Sequence, residues 1–189
     1  MIRPALIVAA AALALAGCKD DQAGVPEAVA MTPEALGHYC QMALSEHDGP
    51  KAQIHLKGAL APLFFSQVRD AIAYQHMPEQ DGQILVIYVS DMARAKSWSE
   101  PGPENWIAAQ DAFFVLDSDA IGGMGAAELV PFGSRAAAEA FAKERGGRVA
   151  TLDEIRDEDV LTPDDAGADA PQENDYLERL NALKSEGNP

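Results

Sequence analysis

The sequence predicts an α+β fold in which two similar β-β-α-β modules pack side by side, between a flexible N-terminal tether and an acidic C-terminal tail. Three observations predict it. Each half of the chain repeats one order of short apolar runs around a segment of helical period, glycine and proline punctuate both halves, and the two ends carry no sustained hydrophobic period. A chain of 189 residues, 48% hydrophobic and 6% aromatic, suits one or two small globular units and excludes a collagen, a coiled coil or a polytopic membrane protein. Its 14 Lys and Arg stand against 30 Asp and Glu, a formal charge of −16. Such a chain repels phosphate backbones, so nucleic acid is not a partner.

The first element is an export signal. Arg3 precedes an apolar run from Ala5 to Ala16 that ends in Leu15-Ala16-Gly17-Cys18. About 20 apolar residues are needed to span a bilayer, and this run is shorter, so residues 1–17 read as a cleaved signal peptide. Residues 18–31 are small, polar or Pro/Gly-bearing and read as a tether.

The first module is assigned to residues 32–92. Gly37 to Leu44, containing Tyr39 and flanked by glycines, reads as extended, and Ala52 to Leu56 alternates as a second strand. Leu60, Leu63, Phe64, Val68, Ala71 and Ile72 recur at helical spacing up to Tyr74, with Pro62 near the start, where a missing N–H costs nothing. A turn at Gln80-Asp81-Gly82 leads into the apolar strand Ile84 to Val89. The second unit, residues 93–155, opens with a linker containing Pro101, Gly102 and Pro103. Strands follow at Asp111 to Leu116 and Ala127 to Pro131, then a helix from Ser134, its N-cap, to Arg145. Gly146-Gly147 stops that helix, and Arg148 to Ala150 closes the module. Residues 156–189 form the tail: from Asp153 to Asp175 acidic residues outnumber basic ones ten to one, a composition too polar to pack. Only Tyr176 to Lys184 has an amphipathic spacing there.

The candidate chemistry lies in sulfur. With Cys18 at the signal boundary, Cys40 is the one thiol left to a mature exported chain, so it is buried and inert, paired between chains, or used as ligand or nucleophile. In an extended segment His38, Cys40 and Met42 share a face, and imidazole, thiolate and thioether form a soft donor set suited to Cu(I). The same alternation equally describes a half-buried strand with Cys40 and Met42 in the core. Met124 sits in Ile121-Gly122-Gly123-Met124-Gly125, where glycine permits close backbone approach. Met92, just after a core strand, is a competing donor.

Read in order, these residues resemble the NosL family of nitrous-oxide reductase accessory lipoproteins. The matching stretches are Leu15-Ala16-Gly17-Cys18, Cys40-Gln41-Met42, Ala52-Gln53-Ile54, Asn105-Trp106-Ile107, Ala112-Phe113-Phe114-Val115, Met124-Gly125, Glu128-Leu129-Val130-Pro131-Phe132 and Gly146-Gly147-Arg148-Val149. The chain departs from the family pattern at Gln41, where glycine is common, and before Met124, where proline is common. The resemblance implies a periplasmic Cu(I) chaperone, held to a bacterial membrane by lipid on Cys18. It implies that copper is delivered for the copper centres of nitrous-oxide reductase by way of a membrane ABC-type maturation complex. Carried over residue by residue, it makes Cys40, Met42 and Met124 the metal ligands; His38 and Met92 enter only from the residue reading.

Two other classes compete. A thiol-dependent enzyme would use Cys40 as nucleophile with His38 as base. A metal-free envelope scaffold would bury Cys40. No Ser-His-Asp order, phosphate loop or dinucleotide fingerprint is present, so the chain reads as a carrier and not an enzyme.

Overall fold

The computed structural model describes residues 24–161. The signal sequence, Cys18 and the Tyr176 to Lys184 segment lie outside them. Two antiparallel sheets organise the chain. The first has the order β2-β1-β3-β4, from β1 (Ala52–Leu56), β2 (Leu63–Phe65), β3 (Ile84–Ser90) and β4 (Trp106–Ala108). The second has the order β6-β5-β7, from β5 (Phe113–Leu116), β6 (Val130–Phe132) and β7 (Arg148–Thr151). Helix α1 (Val68–His76) lies between β2 and β3, and helix α2 (Arg135–Arg145) between β6 and β7. In each unit the first strand is central and pairs antiparallel with the second and third, so the β-β-α-β order is duplicated strand for strand; β4 extends the first sheet.

The period of β5 explains how the units join. Phe114 and Leu116 enter a buried cluster with Ala52, Ile54, Phe65, Val68 and Ile72 of the first unit, whereas Val115 faces a second cluster with Val130, Phe132 and Ala138. Burial of each phenylalanine contributes roughly 1.5–3 kcal/mol. One core therefore spans both modules.

Three local expectations are corrected. The segment Gly37 to Leu44 is not a strand. Gly37 N–H donates to Met42 O at 2.9 Å and Gln41 N–H to Gly37 O at 2.9 Å, with Gln41 in the left-handed region at φ 55°, so the chain closes on itself as a turn. The helix begins at Val68, not near Leu60, because Leu63, Phe64 and Phe65 pair with Ile54, Gln53 and Ala52. The apolar spacing there fits either period, and the neighbouring strand decides. The first residues of the tail are folded as well: a short helix, α3 (Asp157–Val160), buries Val160, and His76 Nδ1 lies 2.7 Å from Asp157 Oδ1.

At the other end, the described part of the tether lies along the first sheet. Val29 N–H donates to Gln53 Oε1 at 2.8 Å, Gln53 Nε2 donates to Val29 O at 2.9 Å, and Tyr88 Oη donates to Pro26 O at 2.7 Å. A buried glutamine on β1 thus substitutes for a backbone partner and ties residues 26–29 over the sheet face opposite the core. The second helix follows expectation: Ser134 Oγ accepts from Ala137 N–H, and Gly146 and Gly147 have φ 77° and 93°. At Gly147 a Cβ would lie 2.2 Å from Leu116 O, so glycine is required by close approach as well as by φ.

Candidate metal centre

Cys40 sits at the closed turn between Gly37 and Met42. The turn is fixed to β2 by His38 N–H, which donates to Phe64 O at 2.6 Å, and braced by Gln41 Nε2, which donates to His38 O at 2.6 Å. Its sulfur is drawn inward over Gly37, where an added Cβ would lie 2.5 Å from Cys40 Sγ. Two side chains meet that sulfur: Ser66 Oγ, immediately after β2, and His47 Nε2, each 3.8 Å away. Cys40 is half-buried and free of any disulfide.

His47 is the residue that sequence reasoning missed, and it links two loops. Its Nδ1 lies 3.0 Å from Gly123 O. A carbonyl only accepts, so that bond places a proton on Nδ1 and turns Nε2 toward Cys40 Sγ. The only sequence signal was a histidine seven residues after the cysteine, before Gly49. No period brings the two together; the turn at Cys40 and the single 3₁₀ turn Leu44–Glu46 do so.

The glycine loop is held from both sides. Gly125 N–H donates to Gly122 O at 2.9 Å, and Met124 N–H donates to Gln67 Oε1 at 3.0 Å. A Cβ on Gly123 would lie 2.5 Å from His47 Cβ and 2.8 Å from Asp48 O. Glycine here lets the loop rest directly on His47. Met124 is 46% exposed at the loop's tip, and Met42 is 46% exposed on the Cys40 turn.

The other two sequence candidates have different surroundings. The alternation that joined His38 to Cys40 fails with the strand. The His38 ring packs against Tyr39, Phe65 and Tyr74 at centroid distances of 5.1, 5.5 and 5.7 Å, with Nε2 3.7 Å from Asp81 Oδ2. Met92 packs against the second core cluster. Among the described residues no group of three or more His, Cys, Asp or Glu side chains converges to hold a metal ion. What converges is one thiol and one imidazole; Met42 lies on the Cys40 turn, and Met124 on the loop that rests on His47. That set is soft and open, suited to a monovalent soft ion and unlike a closed zinc cage.

Beneath the loop lies a buried carboxyl, and the buried Lys51 Nζ donates to Asp48 O at 3.2 Å and Gly49 O at 2.6 Å. Glu128 is fully enclosed; Oε1 accepts from Arg69 N–H at 3.0 Å and Leu129 N–H at 2.9 Å, while Oε2 has no hydrogen-bond partner among the described residues. Burial pushes its carboxyl up to about 8 against the pull of those amides. Burial also pushes Lys51 down to about 8, opposed by Glu128 and Asp48. The signs follow from proton uptake. Between about 4.5 and about 8 the folded chain holds a proton on Glu128 that the unfolded chain releases, so this group makes stability fall as pH rises. Between about 8 and 10.5 the folded chain lacks a proton that unfolded Lys51 keeps, so stability rises again. Glu128→Gln keeps the accepting oxygen and removes the titration. Its melting temperature relative to the parent is expected to climb steadily from pH 5 to pH 8. A parallel pair of melting curves would show that Glu128 does not carry the proton.

Comparison with known proteins adds four findings. The family model described as NosL matches residues 28–160. The copper-binding lipoprotein NosL of Achromobacter cycloclastes is 57% identical over 182 residues, covering 94% of this chain and 93% of that one. The copper-binding lipoprotein NosL of Stutzerimonas stutzeri is 30% identical over 152 residues, covering 79% and 78%. Among solved structures, the crystal structure of the copper chaperone NosL from Shewanella denitrificans superposes with a TM-score of 0.64 at 32% identity, covering 68% of this chain and 95% of that one.

Proposed function

The chain belongs to the NosL family, and from that premise we propose that it is a Cu(I) metallochaperone whose cargo is held by Cys40. The observation that carries this reading is the convergence of Cys40 Sγ with His47 Nε2 beside the Met124 loop. Cys40 supplies the anionic donor once its proton leaves on metal binding, His47 Nε2 the imidazole donor, and Met42 and Met124 the thioethers. Such a set satisfies Cu(I) at two or three coordination. Exposed thioethers let an incoming acceptor replace one donor at a time, which is what a carrier needs and a storage cage does not. A thiol beside an imidazole would also suit a nucleophile, and what favours a carrier over an enzyme is that the relatives are named copper-binding lipoprotein and copper chaperone.

We further propose that residues 1–17 direct export and that Cys18 is acylated, placing the chain in the periplasm at a bacterial membrane. Relatives named as lipoproteins support this reading, and no helix among the described residues is long and apolar enough to cross a membrane. Copper would pass to nitrous-oxide reductase through its membrane ABC-type maturation complex. Cys18→Ser is expected to abolish acylation and leave Cu(I) affinity unchanged, because the anchor and the site lie on separate segments; intact mass and a cuprous titration read the two halves of that expectation.

The test of the function is a competition titration with a cuprous chelator on anaerobically purified protein. Cu(I) is expected to bind near one equivalent, with Zn²⁺ unable to displace it in large excess. Met42→Leu and Met124→Leu each keep size while removing sulfur, and each is expected to weaken binding by about tenfold, roughly 1.4 kcal/mol. Leucine variants that bind as the parent does would return both methionines to packing roles.

A further inference from the structure

The β1–β2 hairpin ends in a tip that its own fold does not explain. Lys57, Gly58, Ala59, Leu60 and Ala61 are all exposed, with Leu60 fully so. Turn positions in soluble proteins favour polar residues, and here the most protruding side chain is a leucine between two alanines. A groove of roughly 210 Å³ runs beneath the tip, lined on one side by Leu60, Ala61 and Pro62 and on the other by Pro26 and Val29 of the N-terminal segment. Val29, which lines this groove, is exposed, and so is Val25 one residue beyond Pro26, on the chain that leads to Cys18. Glu27 and Lys57 are the exposed charges at its margin.

The length of the leader decides what can cover this patch. The seven residues from Lys19 to Val25 reach at most about 25 Å when fully extended. A lipid on Cys18 therefore keeps Val25 within about 25 Å of the bilayer, and a second contact is needed to set which end of the domain faces it. Cys40 Sγ, beside Ser66, and the Met124 loop, seated on His47, lie at the far end of the same hairpin. β1 runs from Lys51 and Ala52 at the Cys40 end to Leu56 at the tip, and β2 returns from Leu63 to Phe65 and Ser66 beside Cys40 Sγ. At about 3.4 Å per residue the two ends are separated by roughly 15 Å of strand.

We propose that the hairpin tip around Leu60, together with Val25, rests in the surface of the bilayer that carries the Cys18 lipid, and so turns the Cys40–His47 end toward the aqueous side. This rests on the reading of Cys18 as acylated. The lipid supplies attachment and the tip supplies orientation: a single apolar side chain with small flanking residues adds a weak second contact that a short leader makes effectively intramolecular. The formal charge of −16 opposes anionic headgroups, so the preferred surface is zwitterionic.

The experiment uses the full mature chain purified from membranes, its acyl state read by intact mass, in phosphatidylcholine nanodiscs containing an acyl-chain nitroxide lipid. Methyl resonances of Leu60 and Val25 are expected to lose intensity several-fold more than those of Met42 and Met124. Leu60→Asp is expected to even out the attenuation while leaving melting temperature and Cu(I) affinity unchanged, because Leu60 packs against nothing. Even attenuation in the acylated parent, which leaves a protein, a second copy or nothing to cover the tip, overturns the orientation alone, as does stronger attenuation at Met42 and Met124. An unmodified Cys18 in the membrane-purified chain removes the anchor reading and this inference with it.

Discussion

Cys40→Ser is expected to lower Cu(I) affinity by at least about two orders of magnitude, roughly 2.8 kcal/mol, while the apo protein melts close to the parent. The hydroxyl is nearly isosteric, and the turn that holds position 40 is made by backbone bonds of Gly37, Gln41 and Met42 and by Gln41 Nε2, none of which uses the sulfur. What disappears is the one soft anionic donor facing His47. Oxygen is a poor ligand for a cuprous ion and a serine keeps its proton near neutral pH, so the remaining donors are neutral. A chelator titration alongside thermal melts checks both halves. Equal affinity in the serine variant would sink the site; lost affinity with a collapsed melt would show that Cys40 serves folding, and the thiol's role would then be read from anaerobic metal-edge spectroscopy of the parent.

The second large effect is expected at His47. His47→Ala removes a donor at Nε2 and also the Nδ1–H bond to Gly123 O, so it loses a ligand and unfastens the loop that presents Met124. Changes to groups that orient metal ligands typically cost ten- to a hundredfold in affinity, and a loss in that range or above is expected here. His38→Ala is the matching control. Its ring is occupied by Tyr39, Phe65, Tyr74 and Asp81, and affinity is expected to stay within about twofold of the parent. A loss at His38 with none at His47 would restore the imidazole role to His38 and place the donor on the opposite side of the turn.

The same contrast shows where reading along the chain stops working. Strand β3, the helix from Ser134 to the Gly146-Gly147 stop, and the β-β-α-β order of the second unit were legible, because apolar period, a cap and a left-handed glycine are local signals. Leu63 to Phe65 fits a helix as well as a strand, because three adjacent apolar residues satisfy either period, and pairing with β1 settles it. The Cys40 turn reads as a strand along the chain because its closure depends on Gln41 at φ 55°, a conformation that glutamine does not advertise.

By itself the sequence determined the fold class, the family and the sulfur-rich character of the candidate site, since composition, order and residue chemistry need no coordinates. Only the tertiary structure brought His47 to Cys40, seated the Gly122 to Gly125 loop on that imidazole, and buried Glu128 beneath it. It also separated the leucine tip from the sulfur end along the length of one hairpin. Each of these depends on segments far apart in the chain meeting through loops, and loop closure is governed by backbone hydrogen bonds and close glycine approaches that leave no periodic trace in the residues themselves.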